Sequence, residues 1–147
     1  MKDSMFFAIL AGVAVFVTGQ FILKLVLEPI VSLKEILGEL SAFCLRNRAK
    51  ITNANATLEM QQELKCLGSK LISKRQAIPF YGVFAFLLRM PSEKDIIESC
   101  RSLNLISTEM VKETSRHQGN LEGPVQILLE LQKISNLLGV RLDYSEL

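Results

Sequence analysis

The stretch MFFAILAGVAVFVTGQFIL, residues 5–23, runs for nineteen residues without a charge. At about 1.5 Å per residue, and extended by Leu25–Leu27 beyond Lys24, a helix of this length crosses a hydrocarbon layer of roughly 30 Å. The reading is a transmembrane helix over residues 5–30, preceded by a short tail (1–4) and followed by a soluble region (31–147). A cleavable secretory signal has a shorter apolar core and small residues at its cleavage site. Here the run continues into GQFILKLVLEPI with no A-x-A pattern, so a retained anchor is expected.

Charge around the span sets the expected direction. Lys2 is the one basic residue before it, whereas Lys24, Lys34, Arg46, Arg48 and Lys50 follow. By the positive-inside bias the N-terminus lies outside and the C-terminal domain is cytoplasmic. At about 100° per residue, Ala8, Ala11, Gly12, Val15 and Gly19 share one face of the span. Small residues let two helix backbones approach closely, and Ala8 with Gly12 has the small-xxx-small spacing. Ala8, Gly12 and Gly19 are therefore the candidate helix-packing residues within the membrane, for a homo-oligomer or another helix; the alternative is a plain anchor.

Composition agrees with one anchor and one small domain. A hydrophobic share of 49% and a mean hydropathy of +0.28 exceed what a soluble chain carries, and the first thirty residues account for much of that excess. The net charge of +2 is unevenly spread. From Lys34 to Arg89 nine basic residues stand against four acidic ones, and from Met90 to Leu147 six stand against nine. Arg46, Arg48, Lys50, Lys70, Lys74 and Arg75 are thus candidates to lean on anionic lipid, at roughly 1 kcal/mol each near the surface, or else form a solvated helix face. A nucleic-acid partner is not expected, because no binding motif accompanies these charges.

The rest of the chain reads as helices joined by short connections. Pro29 has no backbone donor, so a kink or break is expected there unless it opens a new helix. Ser32 and Glu35 match a capping box that would start a helix bearing Leu33, Ile36, Leu37, Leu40, Phe43 and Cys44 on one side. ITNANAT, residues 51–57, is a connection, and Thr57 caps a helix lined by Met60, Leu64, Leu67 and Leu71. IPFYGVFAFLL, residues 78–88, is the most apolar part of the soluble region. It is too short to span a bilayer, so it is either a core helix or an element dipping into the membrane interface. Pro79 suits its first turn. Ser92 with Asp95 caps a helix carrying Ile96, Cys100, Leu103, Ile106 and Met110. A polar loop, residues 115–123, precedes a last helix opened by Pro124, with Val125, Leu128, Leu131 and Leu138 apolar and Gly139 as C-cap. Val140, Leu142 and Tyr144 are expected to pack back onto the bundle.

Catalytic parts are missing from this inventory. The chain has one histidine, His117, in the polar loop, and no glycine-rich phosphate loop, H-E-x-x-H or G-x-S-x-G. Glu35 with Glu39, and Glu59 with Glu63, stand at i, i+4 but without histidine, which favours a solvated face over a metal site. Cys44, Cys66 and Cys100 are widely spaced, without a zinc or disulfide pattern, and are expected reduced on apolar helix faces. No cofactor, no metal and no enzymatic activity are expected.

Three stretches, GQFILKLVLEPIVSLKEILGEL at 19–40, AIPFYGVFAFL at 77–87 with Met90-Pro91, and LLGVRL at 137–142, resemble an uncharacterised family of small single-span bacterial membrane proteins. The likeness touches the span exit, the middle and the last helix in the same order. It departs at CLRNRAK, where that family often has a more aromatic segment. It implies an architecture and a bacterial inner membrane, and no catalytic residue.

The expectation is an all-α protein: one N-terminal transmembrane helix and a cytoplasmic bundle of about four helices. Its expected role is a membrane-anchored interaction module that recruits or senses a protein partner at the inner leaflet. The alternatives are a membrane-active effector that oligomerises through the span, and an accessory subunit of a larger membrane complex. The candidate partner or interface contacts are Phe80, Tyr81, Phe84 and Phe86, provided that run is exposed.

Overall fold

The computed structural model describes the backbone of residues 2–111 and 123–144, and the side chains of 5–111 and 123–144. The chain is all-α. Helix α1 (Lys2–Ile22) passes through a π turn (Leu23–Leu27) directly into α2 (Glu28–Thr52). Then come α3 (Leu58–Gln76), the short α4 (Tyr81–Leu87), α5 (Glu93–Glu109) and α6 (Gly123–Leu138). Among the described residues the one β feature is an isolated parallel bridge between Ala56 and Val111.

No break occurs at Pro29. The N–H of Glu28 reaches back to the carbonyl of Leu23, a bond one residue longer than in an α-helix, and Pro29 enters the first turn of α2. Widening the turn accommodates a residue that lacks a donor and would crowd the carbonyl four positions back. A single helix therefore runs from Met5 to Thr52, 48 residues, or about 70 Å. Ser32 and Glu35, expected to cap a new helix, lie inside this one, and α2 begins without any side-chain cap. The S-x-x-E pattern is overridden because the backbone donors it would satisfy are already taken by the preceding turns.

The two halves of this helix live in different surroundings. None of the most apolar window of the N-terminal half is buried. From Ile30 onward the helix presents Leu33, Ile36, Leu37, Leu40, Phe43 and Cys44 to the interior, all buried as their spacing predicts. Each such side chain contributes about 1.5–3 kcal/mol relative to exposure. One continuous core runs from Ile30 to Leu142.

α5 is the central helix, packed on α3 along one side and α6 along the other, while α2 packs on α3 and α6. Its capping box is fully formed: Ser92 Oγ accepts from the Asp95 N–H and the Asp95 carboxylate accepts from the Ser92 N–H. Thr57 caps α3 by accepting from the Met60 N–H. At the end remote from α1, Ala56 donates to the Met110 carbonyl at 2.9 Å, and the Gln61 side chain donates to the Ser107 carbonyl at 2.8 Å. These bonds tie the α2–α3 connection to the end of α5.

The last helix differs from expectation in its face. Ile127, Leu131, Ile134 and Leu138 are buried, whereas Val125 and Leu128 are exposed. Gly139 holds φ +63°, the left-handed C-cap anticipated for it. Beyond it the chain returns along α2: Ser41 donates to the Arg141 carbonyl, Arg48 pairs with Asp143, and Leu142 is buried. Tyr144, expected to pack inward, is exposed. The polar loop with His117 lies outside the described residues, apart from Gly123, which begins α6.

Candidate functional site

The short helix α4 and its flanks form the most exposed apolar feature of the bundle. Seven helical residues leave α4 little stability of its own, so its position depends on what holds it. Ile78, Tyr81 and Ala85 are buried and Phe84 packs partly against the core. Tyr81 and Ala85, one turn apart on α4, with Ile78 ahead of the helix, bind it to the bundle. The opposite row points outward: Phe80 is 82% exposed and Phe86 88%, with Val83 and Leu87 beside them. The four aromatics anticipated as contacts are therefore divided, Phe80 and Phe86 on the surface, Tyr81 and most of Phe84 within. One side of residues 78–88 is core, as the first reading expects, and the other side is exposed.

Polar contacts fix Tyr81. Its hydroxyl donates to the Pro91 carbonyl at 2.6 Å, and the Arg75 guanidinium lies 5.2 Å from its ring centroid. Arg75, in the last turn of α3, also pairs with Glu93 in the first turn of α5. Burial raises the phenol pKa of Tyr81, and the positive charge of Arg75 works against that rise. These four residues join three helices at one point.

Left-handed residues bracket α4. Phe80, immediately before it, sits at φ 51°, ψ 39°, and Arg89, after it, at φ 50°. At its C-terminus the Met90 N–H bonds to the Ala85 carbonyl, the closing bond of a Schellman turn in which Arg89 occupies the position glycine usually takes. Pro79, expected in the first turn, precedes the helix as part of the turn that contains Phe80. A bulky side chain in the left-handed region costs roughly 1–2 kcal/mol. For Phe80 that cost is not offset by burial.

Register places α4 beside the end of the long apolar run. α2 and α3 are antiparallel, and Arg46 pairs with Glu63 across them at 3.6 Å. Stepping along α3 from Glu63 to Gln76, and equally far back along α2 from Arg46, arrives at Leu33. α4 follows α3 at this end of the bundle. Ile30 is buried and Val26 packs against the core, although both precede the level at which α3 ends. A cleft of about 270 Å³ brings Leu88, Arg89, Met90 and Pro91 against Lys34, Leu37 and Gly38.

The same register divides the basic residues. Arg46, Arg48 and Lys50 sit at the far end of α2, about 28 Å or more from Leu27, where Arg46 and Arg48 are engaged by Glu63 and Asp143. They stand far from the end of the apolar run at Leu27. Lys74 and Arg89 lie near α4, without an ion pair among the described residues.

In the apolar half of the long helix, Ala8, Gly12 and Gly19 are exposed, and a Cβ added at either glycine would meet nothing within 4 Å. Among the described residues, no group of three or more His, Cys, Asp or Glu could hold a metal ion. Burial pushes the Cys44 thiol up to about 12 and the half-buried Cys100 up to about 11, which leaves both poor nucleophiles. Cys66, expected on an apolar face, is exposed. Sequence reasoning also missed Ser99, Ser102 and Ser107, which are buried where α5 packs on its neighbours. Their small size on the apolar side of α5 is the signal that could have found them. Compared with known proteins, the chain matches no family model, no curated protein and no solved structure.

Proposed function

We propose that this protein is a single-pass membrane-anchored helical interaction module, non-enzymatic, which recruits or senses a protein partner at the inner leaflet of a bacterial cytoplasmic membrane. The observation that carries the reading is the uninterrupted helix Met5–Thr52, bare over its apolar half and core-forming over its other half. An exposed apolar helix near 30 Å long is costly in water and favourable in lipid. Because no flexible linker separates it from α2, the anchor and the bundle move as one piece. Confinement to a surface raises the effective concentration of a partner without any new contact. The excess of Lys24, Lys34, Arg46, Arg48 and Lys50 over Lys2 favours a cytoplasmic bundle.

The test is extraction of the full chain from bacterial membranes with alkaline carbonate, followed by protease treatment of sealed spheroplasts. Retention in the pellet and protection of the bundle are expected; release by carbonate overturns the anchor, and digestion from outside reverses the orientation. A second reading, oligomerisation through the Ala8, Gly12 and Gly19 stripe to perturb the bilayer, is favoured by the open space over both glycines. It predicts dye leakage from cells overproducing the chain. Capture of a partner with the membrane intact decides for the module.

A further inference from the structure

We propose that the outward row of α4, Val83, Phe86 and Leu87, together with Phe80 just before it, is a second membrane contact, inserted into the headgroup and upper acyl region of the leaflet through which α1 leaves the bilayer. This rests on the reading of α1 as a span. Three observations on the bundle carry it. The row is apolar and exposed on a helix whose other face is locked into the core, so it cannot turn inward without breaking the Tyr81 bond to Pro91. The segment that leaves it, Leu88–Pro91, lies against Lys34, Leu37 and Gly38, and the exposed apolar surface of the long helix runs through Leu25 and Leu27 to Val31. Val31 is about one helical turn from Lys34, so that segment stands next to the surface that lipid would cover. Near it Lys34 and Arg89 line one cleft, Arg75 and Glu93 pair with each other, and Asp95, whose charge also reaches Tyr81, is held in the α5 capping box.

Aromatic rings over cations are the arrangement that suits the boundary between acyl chains and anionic headgroups. An interfacial helix buries its apolar face about 5–10 Å into that boundary, a depth that the Phe80 and Phe86 side chains can reach from a helix lying on the surface. The strained backbone of Phe80 fits the same account: an aromatic held outward at a left-handed position serves an outside contact, since it serves no inside one. Two contacts on one rigid body, α1 and α4, would set the tilt of the bundle on the membrane, where α1 alone would leave it free to rotate.

The chain contains no tryptophan, so single substitutions create unique fluorophores. The full chain is reconstituted in vesicles of phosphatidylcholine and phosphatidylglycerol carrying Phe86→Trp, Leu87→Trp, Leu129→Trp or Phe16→Trp. Leu129 is an exposed apolar residue on α6, and Phe16 marks the middle of α1. The expected result is blue-shifted emission from Phe86→Trp and Leu87→Trp, quenched by lipids brominated near the headgroup end of their chains and shielded from acrylamide. Leu129→Trp is expected to respond to acrylamide alone, and Phe16→Trp to lipids brominated near the chain end. Phe16→Trp quenched by lipid while both α4 reporters answer only to acrylamide overturns the second contact and leaves the anchor standing. Phe16→Trp without lipid quenching overturns both. Blue-shifted α4 reporters insensitive to bromolipid, with a shift that depends on protein density in the vesicle, overturn the lipid assignment in favour of a second copy of the chain.

Discussion

The Tyr81 hydroxyl donates to the Pro91 carbonyl oxygen at 2.6 Å, so a residue in the first turn of α4 closes on the segment that leaves it, ten residues on. This bond spans the whole of α4. Replacing it with Tyr81→Phe keeps the ring under Arg75 and removes one hydrogen bond, at a cost of about 1 kcal/mol. The expected readout is faster amide exchange across α4 with smaller change in α5. The raised phenol pKa has a further consequence. A group whose folded pKa lies above its unfolded value holds stability below the unfolded value and loses it as pH rises toward and through the folded one. Alkaline unfolding above pH of about 10 is therefore expected to be steeper in the parent than in Tyr81→Phe, and equal slopes would remove Tyr81 as the cause.

Phe80→Gly separates strain from contact. Glycine accepts φ 51° without the steric cost, so thermal stability is expected to hold or rise by up to about 1 kcal/mol, offset in part by the entropy of a freer unfolded chain. A loss greater than that, read by thermal denaturation in detergent, would mean that the exposed ring supports the fold.

Cysteine accessibility tests the burial pattern directly. In the folded protein Cys66 is expected to react with a maleimide at the rate of a free thiol, Cys100 slowly and Cys44 last, because burial holds the latter two protonated and covered. In denaturant all three should react alike. Mass spectrometry of the labelled peptides reads the order.

Ser99 lies fully buried on α5 with its hydroxyl oxygen unpaired. Ser99→Ala removes a polar group that has no partner to lose, and is expected to raise stability by about 1 kcal/mol. A fall of similar size would reveal a bound water or a hydrogen bond to α6.

The capping box of α5 supports the central helix at its span-facing end. Ser92→Ala leaves the Asp95 N–H without its acceptor and is expected to cost about 1 kcal/mol. Ser92→Asp should recover most of that loss, and failure to do so would point away from capping.

Most of the architecture was legible in the residues themselves. Period and caps are local properties: the stripe Leu33 to Cys44, the Thr57 and Ser92 caps, and Gly139 at φ +63° each follow from a few neighbouring positions. The failures share a cause as well. Ser32 with Glu35 matched a cap, but capping requires free backbone donors, and the π turn kept the helix going. Val125 and Leu128 matched the apolar period of α6, yet the buried row is that of Ile127, Leu131, Ile134 and Leu138, since α6 carries more apolar residues than one face holds.

Sequence alone was enough to determine that the fold is all-α and that its N-terminal helix is long and apolar enough for a bilayer, because both follow from composition and spacing along the chain. Which aromatics of residues 78–88 face outward, and that the segment after them packs on Lys34, Leu37 and Gly38, was decided by tertiary structure alone. The difference is one of range. Helix propensity and hydropathy act between residues a turn or two apart, whereas the height of α4 is set by the antiparallel register of α2 on α3, a relation between residues far apart in the chain that local pattern does not encode.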